Sequence, residues 1–164
     1  MPARLRAWYT AAEIEALAAR RMELHGSFPV AEMERLAAFL GTETGAVSVR
    51  VAFAQRDQGW PALAIRIRTC LGVTCQRCLG PLELEIDERV EFGLVAEDDS
   101  TAVLPDGIEP VAPDGDRVSL LELVEDEIIV AVPMVPKHAA EQCAIDVTVL
   151  PEGVSAHDDT ASSD

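Results

Sequence analysis

The chain has 164 residues, is 49% hydrophobic and only 4% aromatic, and carries a formal net charge of −16. That is enough chain for one packed domain, with a core resting on Leu, Val, Ile and Ala rather than on aromatic rings. The charge argues against a protein that grips nucleic acid by bulk positive charge, and no apolar run approaches the roughly 20 residues of a membrane-spanning helix.

The first residues, MPARLRAWYTAAEIEAL, hold arginines with no apolar segment behind them, so no secretory leader is expected. A cytoplasmic location follows, where thiols stay reduced and a C-x-x-C pair is more often metal-binding or catalytic than a disulfide. The charge is uneven. Residues 1–80 hold ten basic and seven acidic side chains, a net of +3; residues 81–164 hold three and 22, a net of −19. That split reads either as an acidic interaction region or as solvated loops and a tail.

In chain order, Thr10 and Glu13 have the spacing of a capping box, and Ile14, Leu17 and Ala18 then share a helical face. Arg21 to Phe28 fits a short strand, or a continuation of the helix to Gly26. Pro29 suits the first position of a second helix with Met33, Leu36, Ala37 and Leu40 on one side, closed by Gly41. Val47, Val49, Val51 and Phe53 alternate with small or polar residues, as a half-buried strand requires. After a turn at 55–61, Ile65, Ile67, Leu71 and Val73 continue the period of two, with Arg66 and Arg68 opposite. Residues 82–95 form another strand, with a bend or bulge expected where charges take over at Asp87, Glu88 and Arg89. Residues 97–117, rich in Asp, Pro and Gly, read as a surface loop. Ser119 and Glu122 then suggest a second capping box before an amphipathic helix that ends at Pro133. The fold class expected is α+β: an antiparallel sheet of three or four strands, with a barrel-like closure as an option, flanked by N-terminal helices and one later amphipathic helix. One domain spans 1–150, and 151–164 is a disordered acidic tail.

The stretch CQRCLGP at 75–81 carries the main chemical signal. A C-x-x-C turn offers zinc two thiolates from one tight loop, and Gly80 lets the chain fold back. Arg77 adds positive charge that favours thiolate. Zinc needs two further ligands, and His138 and Cys143 in PKHAAEQC are the only other candidates, far downstream. A redox pair wants a helix N-terminus at the first thiol, whereas LGPLELEID reads as turn and strand. Two ligand-free thiols in a hairpin remain the plain alternative. Cys70 reads as a small core side chain. Glu122, Glu125, Asp126 and Glu127 crowd one helix; such carboxylates can hold magnesium or move protons, but a wet helix face is the commoner meaning. His25 and His157 have no partner pattern, and no spacing points to an enzyme.

Taken together, CQRCLGP and the block LLELVEDEIIVAVPMVPKH followed by a cysteine resemble the YceD family of large ribosomal RNA subunit accumulation proteins. RRMELHGSF before VAEMERLAAFL extends the resemblance to about residues 10–145. It implies a bacterial cytosolic, non-enzymatic factor supporting synthesis, processing or stability of large-subunit ribosomal RNA. It also implies metal binding and nucleic-acid binding, and the motif positions carried over are Cys75, Cys78, Glu125, Asp126, Glu127, Pro133, Pro136, His138 and Cys143. A zinc set of Cys75, Cys78, His138 and Cys143 is thereby favoured, with zinc as the candidate cofactor. The chain departs from the family in ending HDDTASSD rather than in an apolar-basic Asn-Pro-Phe-type tail.

The expected partner is a basic ribosomal or ribosome-assembly protein docking on Glu122, Glu125, Asp126 and Glu127, since charge complementarity speeds encounter. The alternative is a zinc-stabilised module that touches large-subunit ribosomal RNA through Arg50, Arg66, Arg68 and Arg77. A thiol or metal-dependent enzyme is a further alternative. Neither a membrane nor a small-molecule substrate is expected.

Overall fold

The computed structural model describes residues 5–57, 59–96 and 104–143. The predicted tail at 151–164, the stretch 144–150 and His157 lie outside the described residues.

The fold is α+β. Strand β1 (Trp8–Thr10) leads into α1 (Ala11–Ala19), where Thr10 and Glu13 close the predicted capping box. Strand β2 (Glu23–Pro29) follows, so the strand reading of that segment holds. Pro29 ends this strand instead of opening a helix, because its extended backbone feeds a 3-10 turn at Val30–Glu32. The second helix, α2, starts later, at Glu34–Leu40, and Gly41 closes it in the left-handed conformation, φ 69°, as glycine does without steric cost. Strands β3 (Ala46–Gln55), β4 (Pro61–Thr74) and β5 (Pro81–Leu94) then run as an antiparallel meander.

Two expectations fail in the second half. The β4–β5 register runs unbroken from Ala62 opposite Gly93 to Thr74 opposite Pro81, so Asp87, Glu88 and Arg89 form no bulge. The charges sit in the ladder because Asp87 and Arg89 point to the open face, where Arg66 and Arg68 meet Asp87. The predicted surface loop also contains strands. Strand β6 (Ile108–Val111) pairs parallel with β5, and β7 (Arg117–Ser119) pairs with β1. Helix α3 (Leu120–Ala131) follows, with Ser119 accepting from the Glu122 amide.

The main sheet has five strands in the order β2-β3-β4-β5-β6, antiparallel except for the last pair. It is open, so no barrel closes among the described residues. One face carries Val47, Val49, Val51, Phe53, Ile65 and Ile67, all buried. Helix α1 covers β3 and β4, and α3 lies on β5. Ile14, Val124 and Ile128 from these helices are fully buried in the same core. Each such side chain contributes about 1.5–3 kcal/mol of burial free energy. Among the described residues, no helix lies on the opposite face.

Candidate metal centre and the charged faces

The turn between β4 and β5 is the cysteine knuckle. Cys75 donates its amide to the Gly80 carbonyl (2.9 Å), and the Leu79 amide donates to the Cys75 carbonyl (2.8 Å). The chain after α3 returns to this turn: the Gln76 amide donates to the Pro136 carbonyl at 2.8 Å. Arg77 Nη2 donates to the His138 carbonyl at 2.7 Å, a latch between the two segments. Arg77 is thus committed to the knuckle, not to the arginine face expected of it.

Cys75, Cys78, His138 and Cys143 each bring one ligand atom to a cluster whose members all lie within 4.8 Å of one another. Zinc–sulfur bonds of about 2.3 Å in a tetrahedron place ligand atoms about 3.8 Å apart, so the set is compact enough to hold such an ion after the side chains draw in. His138 is oriented for it. Its Nε2–H donates to the Pro81 carbonyl at 2.9 Å, which leaves Nδ1 to face Cys78 Sγ at 3.4 Å. Ligand histidines usually carry such a second partner.

The electrostatics suit a thiolate. Burial pushes the Cys75 thiol up, but hydrogen bonds from the backbone of Cys78, His138 and Arg77 and from the Cys78 side chain outweigh it and hold it at about 5. The His138 imidazole is raised, first by its bond to Cys75, against the effect of burial, with further help from Cys78 and the Pro81 carbonyl. Cys78 leads into a strand and not a helix, so no helix dipole activates it as in dithiol redox proteins. Cys70 is exposed on the open face of β4, contrary to the core role expected of it.

The acidic helix divides. Glu125 is only 4% exposed. Its Oε1 accepts the Leu36 amide at 3.0 Å, and its Oε2 accepts Arg35 Nε at 3.0 Å and Nη2 at 2.8 Å. Met33, the cap residue of α2, offers no side-chain acceptor, so Glu125 caps that helix from α3. Glu125 is therefore an internal strut and not the docking residue expected from sequence. Asp126 also holds Arg35, at 2.5 Å, but is half exposed. Glu122 is exposed. Glu127 is pushed above the usual carboxylate range, by burial first and then by the charges of Glu109, Glu88 and Asp126. Sequence spacing missed Glu88 and Glu109, which join Glu127 only because β5 and β6 lie beside each other.

On the open face, Arg50, Arg66 and Arg68 do come together, beside His25 and Arg89, which single-strand patterns could not associate.

Residues 63–163 match the family described as "Large ribosomal RNA subunit accumulation protein YceD". A protein of that name from Haemophilus influenzae is 28% identical over 141 residues, covering 82% of this chain and 81% of its own. No solved structure matches the chain.

Proposed function

The chain belongs to the YceD family, and from that premise we propose that it supports large-subunit ribosomal RNA accumulation as a non-enzymatic factor shaped by one zinc ion. The observation that carries the metal part is the convergence of two segments about sixty residues apart on one small ligand cluster. Zinc bound by Cys75, Cys78, His138 and Cys143 would have all four positions filled by protein. Closed sites of that kind hold shape, whereas catalytic zinc keeps a position open for water.

The partner we infer is a basic ribosomal or assembly protein. What supports this is the acidic strip of Glu88, Glu109, Asp126 and Glu127, where Glu127 is held up partly by its neighbours' charge. Asp126 has Arg35; Glu88, Glu109 and Glu127 have no ion pair among the described residues. A cationic surface would relieve their repulsion and find its site faster. Glu122 extends the strip along α3. No helix of the described residues is long and apolar enough to cross a membrane.

The test is the ratio of large- to small-subunit ribosomal RNA, with precursors, in cells depleted of this protein. A selective fall in the large-subunit species, rescued by the wild-type chain and not by Glu88→Gln/Glu109→Gln/Glu127→Gln, is the expected result. An unchanged ratio overturns the proposal. Full rescue by the triple variant overturns the acidic docking strip alone.

A further inference from the structure

The face of the sheet that no helix of the described residues covers holds a row of basic side chains running across the strands. His25 on β2 stands opposite Arg50 on β3; Arg50 stands opposite Arg66 on β4; Arg66 stands opposite Arg89 on β5. At an interstrand spacing of about 4.8 Å the row spans about 14 Å. Like charges directly opposite one another destabilise a sheet. Three arginines in register, in a chain of net charge −16, is an arrangement that stability does not favour.

The neighbouring rows compensate only in part. Arg50 Nε meets Glu23 at 2.8 Å, and Asp87 is shared by Arg66 and Arg68. Glu91 is bonded to Arg56. Arg89 has no ion pair among the described residues. Five arginines therefore stand against three carboxylates. Glu23 and Asp87 are about half exposed, at 49% and 48%. Exposed pairs of this kind are weak, and a guanidinium with five N–H donors can serve a second anion while keeping its first. Two shallow grooves flank the row, one of about 310 Å³ along His25, Arg50 and Arg68 and one of about 470 Å³ along Arg66 and Arg89. Toward the knuckle the same face turns acidic at Glu85 and Glu83, which bounds the patch.

We propose that His25, Arg50, Arg66, Arg68 and Arg89 form a docking surface for the sugar-phosphate backbone of single-stranded RNA, laid across the strands. The floor beneath the row is small, with Ala52 and Ala64 on one side and Ser27 and Ser48 on the other. Between the arginines the floor holds only these small side chains, which leaves the guanidinium groups open to a polyanion, and the family to which the chain belongs is named for a ribosomal RNA. The row is made of guanidinium groups with one imidazole, His25, at its end, so contact falls mainly on phosphates and discriminates little between sequences. The surface lies on the side of the sheet away from α1 and is built from different residues than the acidic strip. It adds a direct RNA contact to the protein docking proposed above and does not depend on it.

The experiment is fluorescence anisotropy of the full chain with a labelled single-stranded RNA of roughly 20 nucleotides, between about 50 and 200 mM salt. Four phosphate contacts predict a slope of log K against log salt near −3, at about −0.7 per contact. Arg50→Gln/Arg66→Gln/Arg89→Gln should lower affinity at least about tenfold at the lowest salt and bring the slope to about −1. Its melting temperature should fall modestly, because Asp87 and Glu23 lose Arg66 and Arg50, while relief of the like charges offsets part of that loss. Should the triple variant unfold, Arg89→Gln alone, which breaks no ion pair, should cut the slope by about 0.7. A flat salt response or unchanged affinity in a folded variant overturns the surface. Equal competition by polyglutamate overturns RNA as its occupant. Glu88→Gln/Glu109→Gln/Glu127→Gln should bind RNA at least as well as wild type, so failure of the protein strip and failure of the RNA face read separately.

Discussion

Replacing Glu125 by Ala tests whether the acidic helix is a surface or a strut. The Leu36 amide is fully buried and has Glu125 Oε1 as its acceptor. Leaving a buried donor unpaired costs about 1–3 kcal/mol. The Arg35 bonds add little, because that side chain is 53% exposed and water can replace its partner. The expected loss is thus about 2–3 kcal/mol, which for a chain of this size lowers the melting temperature by about 5–10 °C. Asp126→Ala is the matched control. It removes a neighbouring acid bonded to the same arginine, but one that is 54% exposed, so it should cost under about 1 kcal/mol. Urea unfolding at neutral pH, with melting followed by circular dichroism, reads both. Equal losses in the two variants, or a Glu125→Ala protein as stable as wild type, would refute the strut. The result also governs partner assays, since a Glu125 variant that fails to bind could simply be unfolding.

The remaining predictions concern the metal and the pH response. Cys75→Ser should lose bound zinc and melting temperature together, measured by metal analysis and calorimetry on the same sample, because a structural ion's binding energy is folding energy; a metal-free variant as stable as wild type would leave the four residues without a structural ion. Asp87 is held at about 2, first by its hydrogen bond to Arg66, against burial, with the charges of Arg66 and Arg68 adding to it, while its ordinary value is 3.8. A depressed carboxylate contributes stability that is complete above the unfolded value and lost as pH falls through the folded one. The urea midpoints of wild type and Asp87→Asn should therefore differ near neutrality and converge toward pH about 2. A gap that stays constant across that window would show that Asp87 titrates as it does in the unfolded chain.

Local signals carried much of the fold. The capping box of Thr10 and Glu13, the closing Gly41, the cap at Ser119 and the alternation of Val47 to Phe53 all act within a few residues, so spacing reveals them. What spacing missed depends on partners far along the chain. Ile108–Val111 has too little pattern to read as a strand, and β5 makes it one. Glu125 looks like a wet-face residue until α2 arrives with an uncapped end and Arg35. Arg89 looks like an interruption of a strand until the register sets it beside Arg66. The ligand set shows the same division. The knuckle was legible by itself, but spacing alone could not join it to His138 and Cys143; the family resemblance did, and the chain's return at Pro136 supplies the physical reason.

The distance between the two halves of that cluster has a consequence in time. The Cys78 and His138 contact joins positions 60 residues apart. A chain made from its N-terminus at about 5–20 residues per second exposes the two knuckle thiols about 3–12 s before the imidazole exists. During that interval the pair is an unguarded dithiol, open to oxidation or to a metal held by only two ligands. Reducing conditions at the moment of synthesis therefore keep both thiols available until His138 and Cys143 join them.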